Sequence, residues 1–168
     1  MQTKSWSTAA VNALMLSIVT IVVNLIQAVF EPGTLLSILI WIVKFAGCLA
    51  LLYYFIKEFS KGFETFSYKD GFNFGFKLCL LSSLICAGFI FLQYAVLFPD
   101  ALQNSIEQVS SAMESSNPSA VEMIEKFMNP QFMFVYTFIY YTVFGMIASA
   151  IIANYTKKGD IFKDNQIN

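Results

Sequence analysis

Four long apolar runs, Ser7–Phe30, Leu35–Ile56, Phe72–Leu97 and Phe132–Tyr155, constrain this chain more than any other feature. A helix needs about 20 mainly apolar residues to cross the hydrocarbon of a bilayer, and each run is long enough. The apolar residues come in blocks instead of the alternation of a strand or the single stripe of a soluble helix. The expected fold is therefore all-α, an integral membrane four-helix bundle with a short outward-facing amphipathic helical hairpin between spans three and four. Residues 1–168 read as a single transmembrane domain with a loop at 57–71 and an outer helical segment at 98–131.

Charge supports that class and orients it. Charged residues are 12% of the chain, against roughly 25% in an average soluble domain. Lys4, Lys57, Lys61, Lys69, Lys77, Lys157, Lys158 and Lys163 fall on one side of the expected membrane, and only Lys126 on the other. The positive-inside rule then makes both termini and the middle loop cytoplasmic. The chain has no arginine and its lysines form no continuous basic face, so a nucleic-acid partner is not expected. It also has no histidine, and Cys48, Cys79 and Cys86 all lie within spans, where they act as small apolar residues; no disulfide framework, metal centre or cofactor is implied. The first run exceeds a signal-peptide core and lacks a small-x-small cleavage site, so it reads as a retained span.

Between the runs, Glu31-Pro32-Gly33-Thr34 has the residues of a type II turn, with Gly33 supplying a positive φ. In the middle loop Phe59, Phe63 and Phe66 recur at helical spacing among Lys57, Lys61 and Lys69, which predicts a segment along the headgroups with its rings in the interface and its amines toward anionic lipid. The competing reading is a short loop whose phenylalanines continue the core. Tyr53, Tyr54, Tyr155 and Trp6 read as an aromatic belt. On the outer side Leu102, Ile106, Val109 and Met113 make one helical stripe. Val121, Ile124 and Met128 make a second, with Asn117-Pro118 or a Ser119/Glu122 capping box between them and Asn129-Pro130 as its stop. Asp100, Glu107, Glu114, Glu122 and Glu125 against Lys126 make this cap acidic. Small-residue rows, Ala9/Ala13/Ser17, Gly71/Gly75 and Gly145/Ser149/Ala153, predict close helix packing, within the chain or in a homodimer.

Lys44 is the one ionisable residue deep in a span. An ammonium there needs polar company, since insertion scales place its burial at roughly 2.5–3.5 kcal/mol. Matching depths across antiparallel spans gives a candidate polar cluster of Lys44 with Asn24, Gln27, Gln93, Tyr94, Tyr136 and Tyr140. The competing reading is a lysine that snorkels to the outer boundary. A Ser–Lys hydrolase built from Ser37 or Ser17 with Lys44 lacks any surrounding nucleophile motif, and no intramembrane acid pair or histidine is present, so an enzyme is not expected.

Three segments carry a family resemblance: Thr65-Phe66-Ser67-Tyr68-Lys69-Asp70-Gly71-Phe72 leading into span three, Phe98-Pro99-Asp100 opening the outer helices, and the small-residue fourth span closing on Lys157-Lys158. With them the chain resembles, over essentially its whole length, domain of unknown function 4199, small four-span membrane proteins found chiefly in Bacteroidetes. The resemblance implies a multi-pass protein of the bacterial inner membrane and assigns no catalytic or binding residue. The residues then favour an accessory or scaffold subunit with the lipid bilayer and a protein partner as its surroundings. The alternatives are a small transporter or channel-like protein working through Lys44, and, by analogy with other small four-span proteins, a membrane partner of lipid-linked sugar transfer.

Overall fold

The apolar runs fold into helices that extend beyond them, the third only when its closing π-helical turn is included. A computed structural model describes residues 2–30, 33–113, 121, 123 and 127–158. In it, α1 covers Gln2–Phe30, α2 Thr34–Lys61, α3 Tyr68–Leu92, α4 Pro99–Met113 and α5 Pro130–Thr156, with a π-helical turn Gln93–Leu97 between α3 and α4. The described residues contain no β-strand, only an isolated bridge between Phe66 and Lys158. Ser5–Phe30, Leu35–Lys61, Tyr68–Leu97 and Pro130–Thr156 are each long and apolar enough to cross a membrane. The chain is thus all-α with four membrane-capable helices.

Local chemistry sets the ends. Ser67 and Asp70 form a reciprocal cap on α3: the Asp70 carboxylate accepts from the Ser67 backbone N–H at 3.1 Å and hydroxyl at 2.7 Å, and the Asp70 N–H donates to Ser67 Oγ at 3.3 Å. Asn129 caps α5, its Oδ1 accepting from the Phe132 N–H at 2.8 Å. Asn129-Pro130 therefore opens the fourth membrane helix, with Pro130 at the position where a missing N–H is harmless. Gly33 corrects the turn expected at 31–34. Its φ is −55° and its carbonyl accepts from the Ser37 N–H at 3.0 Å, so it is the N-cap of α2 and not a positive-φ turn residue. Glu31 and Pro32 lie outside the described residues.

Described residues up to Ser83 and from Tyr141 onward form one compact unit, and those from Leu84 to Tyr140 a second. In the first unit α1 turns Ala9, Ala13, Leu16, Ser17 and Thr20 inward while Leu14, Met15, Ile18 and Val22 stay exposed. Small residues inside and large ones outside invert the soluble pattern. Lipid is as apolar as leucine, so helices gain by close backbone approach more than by burying bulk. The expected small-residue rows meet within this chain. A Cβ at Gly145 would lie 2.5 Å from that of Cys79, and one at Gly75 would lie 2.6 Å from Ser149 Oγ, so α3 and α5 touch almost backbone to backbone.

At one end of this unit the middle loop becomes a packed joint, in line with the competing reading in which its phenylalanines continue the core. The α2 helix carries on through Lys61, and α3 begins at Tyr68. Phe66 is 0% exposed. Its ring lies 6.1 Å from Phe59 and 5.7 Å from Phe63, while Phe59 stacks on Phe74 at 3.9 Å. The backbone of Phe66 exchanges hydrogen bonds with Lys158 at 3.1 and 2.8 Å, and Lys158 Nζ donates to the Ser60 carbonyl at 3.4 Å. The phenylalanines continue the core, and the end of α5 is tied to the α2–α3 connection. Trp6 lies against Lys77 near the start of α3, so the described ends of the chain lie on the same side of this unit as the joint.

In the second unit the Phe98 N–H donates to the Gln93 carbonyl at 2.7 Å, closing the π-helical turn, and Pro99 opens α4. Leu102 is buried and Ile106 half-buried, as the outer stripe predicts; the side chains of Val109 and Met113 lie outside the described ones. Val121, Met123 and Phe127 are helical, and Met128 is not. The expected hairpin turn, with Asn117, Pro118, Ser119 and Glu122, lies outside the described residues, as does Ile124.

Candidate functional site

Lys44 sits ten residues into α2, about 15 Å along it by helix rise. A helical side chain leans toward its own N-terminus, which draws the Lys44 ammonium back toward the Gly33 end of α2. There it meets the last turns of α1: Lys44 Nζ donates to Asn24 Oδ1 at 3.2 Å, and both residues are half-buried. A charged donor on a neutral amide is among the stronger hydrogen bonds, and in hydrocarbon it keeps the ammonium solvated. Gln27, one turn further along α1, is half-buried and takes no part in that bond.

The other candidates fall in the second unit. Tyr136 and Tyr140 are exposed and stack along one face of α5 at 6.0 Å, continuing a ladder that starts at Phe132. Tyr94 is half-buried. Gln93 is buried at 5% exposure, and its Oε1 has no hydrogen-bond donor among the described residues. It opens the π-helical turn, a deformation frequent at functional sites, and an unsatisfied buried carbonyl costs about 1–3 kcal/mol. Within the first unit the structure brings Lys44 together with Asn24.

Sequence reading passed over a series of buried polar contacts between helices of the first unit. Thr20 and Cys48 meet at 3.6 Å, Ser17 and Ser82 at 3.5 Å, Ser83 and Thr142 at 2.7 Å, and Cys79 and Ser149 at 3.7 Å. Thr20 and Ser17 also donate back to their own helix, to the Leu16 and Ala13 carbonyls. Hydroxyls and thiols this common in apolar runs give no signal until their facing is known. Their work here is to join helices, each such bond being worth about 0.6 kcal/mol on average in a membrane.

The Lys44–Asn24 pair has a direct test. Lys44→Met keeps the length and apolar character of the side chain and removes the desolvation penalty of the ammonium, so thermal unfolding in nanodiscs should show unchanged or raised stability. A midpoint lowered by several degrees would make the pair a structural clamp.

The family model described as protein of unknown function (DUF4199) matches residues 8–158 of the chain. No curated protein and no solved structure matches it.

Proposed function

We propose a structural role for this protein, which belongs to the DUF4199 family of proteins of unknown function and carries four helices able to cross a membrane. In this reading it is a non-catalytic accessory or scaffold subunit of a larger assembly in the bacterial inner membrane, with both termini cytoplasmic by the lysine count. One observation carries the reading: Ser17 with Ser82, Cys79 with Ser149 and Ser83 with Thr142 join neighbouring helices of the first unit, and the glycine contacts close α3 against α5 without room for a solute between them. The groups that face outward are instead broad and apolar, including Leu39, Ile42 and Val43 on α2. A face of that kind suits lipid and the span of another protein equally.

Photo-crosslinking in native membranes separates those occupants. A photoreactive residue at Leu39 or Val43 should give one discrete adduct with a membrane protein of different sequence, in the same mass each time. Adducts with lipid alone, or with a second copy alone, would reject the accessory role. A second reading, a small transporter or channel-like protein, draws on the Lys44–Asn24 bond, because an ammonium held beside an amide at that depth suits an anionic or polar solute.

A further inference from the structure

Lys69, Asn73 and Lys77 recur at four-residue spacing on α3 and so form one row, about 12 Å long by helix rise. Lys69 and Asn73 are exposed and Lys77 is half-buried. The row ends against α1, where Lys77 Nζ stands 5.0 Å over the ring of Trp6. Two facts place this strip at the boundary between hydrocarbon and water. The Lys77 side chain leans toward the start of α3, and a half-exposed tryptophan at the start of a membrane helix belongs at headgroup level. The strip therefore offers two ammonium groups and an amide where lipid phosphates lie. Of the carboxylates at this end, Asp70 accepts from Ser67 and Glu58 is paired with Lys61 at 2.6 Å, while Glu64 is exposed in the connection before α3. Beyond Trp6 the same row of α1 continues as Leu14 and Ile18, both exposed, which is apolar surface for an acyl chain.

We infer that this α1–α3 strip binds the phosphate headgroup of an anionic phospholipid, with Lys77 and Asn73, one turn apart, holding the phosphate oxygens, Lys69 adding positive charge along the same row, and Trp6 fixing the Lys77 ammonium at the right depth. Basic pockets between membrane helices recognise such headgroups through charge and hydrogen bonding together. Trp6 packs under the ammonium by cation–π attraction, which limits the positions the flexible lysine can take. The inference stands on the strip alone and is independent of the accessory role.

Trp6 is also the reporter. The chain has two tryptophans, so Trp41→Phe leaves Trp6 as the sole indole. The full chain is reconstituted in phosphatidylcholine–phosphatidylglycerol vesicles in which either one lipid or the other carries brominated acyl chains. Brominated phosphatidylglycerol should quench Trp6 with a relative affinity about fivefold or more above brominated phosphatidylcholine, one lysine at a membrane surface being worth about that factor. Lys69→Gln with Lys77→Gln should bring the ratio close to one, whereas Lys57→Gln with Lys61→Gln, at the same end of the unit, should leave it in place. Thermal unfolding of each variant at the parent midpoint confirms that folding is intact. Equal quenching by the two lipids in the parent overturns the proposal, and so does a preference that survives the Lys69/Lys77 change or falls equally with the Lys57/Lys61 change.

Discussion

Phe66→Ala should destabilise the protein by about 3–5 kcal/mol, the usual range for deleting a fully buried phenylalanine ring. The ring is 0% exposed and lies among Phe59, Phe63 and the space over Gly71, whose hypothetical Cβ would come within 3.1 Å of it. Nothing beside it can collapse into the gap easily. The Phe59 ring is already held flat on Phe74 at 3.9 Å, and the Phe66 backbone is pinned by both hydrogen bonds to Lys158. Phe63→Ala is the internal control. That ring is 36% exposed, so less apolar area returns to water and the loss should be roughly half as large or smaller. Chemical denaturation in micelles measures both. Limited proteolysis adds a local readout, because loosening the joint should open Gly62–Ser67 to cleavage before the helices unfold. If both variants lose the same small amount, the aromatic joint does not hold the end of α5.

The joint also shows where sequence reading stopped. Periodicity grouped Phe59, Phe63 and Phe66 because it counts residues along one helix. Phe66 lies beyond the end of α2, and its backbone partner Lys158 is 92 residues away, a pairing with no local signature. The four membrane helices were legible because apolar length is a one-dimensional property. Their ends were less so: α2 runs on past Ile56 through Lys57, Glu58 and Lys61, good helix formers that a hydrocarbon-length criterion ignores. The Lys44–Asn24 contact was legible for a similar reason. Consecutive antiparallel helices joined by a short turn allow depth to be counted residue by residue.

Depth alone could not say which way a side chain faces. Tyr136 lies nine residues before Gly145, which on an ideal helix is a rotation of about 180°. A helix that presents Gly145, Ser149 and Ala153 to α3 therefore turns Tyr136 to its opposite side, and Tyr140 about 140° away from that row. The small-residue row and the two tyrosines therefore stand on different faces of α5, a separation that counting depth does not register. Using that separation requires knowing that the row is the contact face. That choice is made by packing between helices and not by the residues of α5 alone.

Gly145→Ala tests that packing with one methyl group. Its Cβ would come 2.5 Å from the Cys79 Cβ and 2.7 Å from its Sγ, distances at which α3 and α5 must move apart. Gly75→Ala meets Ser149 Oγ at 2.6 Å, Ile56 Cδ1 at 2.8 Å and Ser149 Cβ at 2.8 Å, and only the isoleucine end is free to swing away. Overpacking of this kind costs about 1–3 kcal/mol per site, and the loss should also weaken the Cys79–Ser149 and Ser83–Thr142 contacts that depend on the same approach. The comparison within the same chain is sharp. Gly47 and Gly88 have nothing within 4 Å of an added Cβ, so alanine at either should stabilise its helix by about 0.5–1 kcal/mol through backbone entropy and propensity. The same substitution is thus expected to change sign with position, which no effect of composition or hydropathy produces. Cys79→Gly removes the atoms that collide with the new methyl, and combined with Gly145→Ala it should recover part of the loss, a coupling that a double-mutant cycle isolates. Should Gly145→Ala prove as harmless as Gly88→Ala, α3 and α5 do not touch at this point, and the closed interface behind the structural role would have to be abandoned.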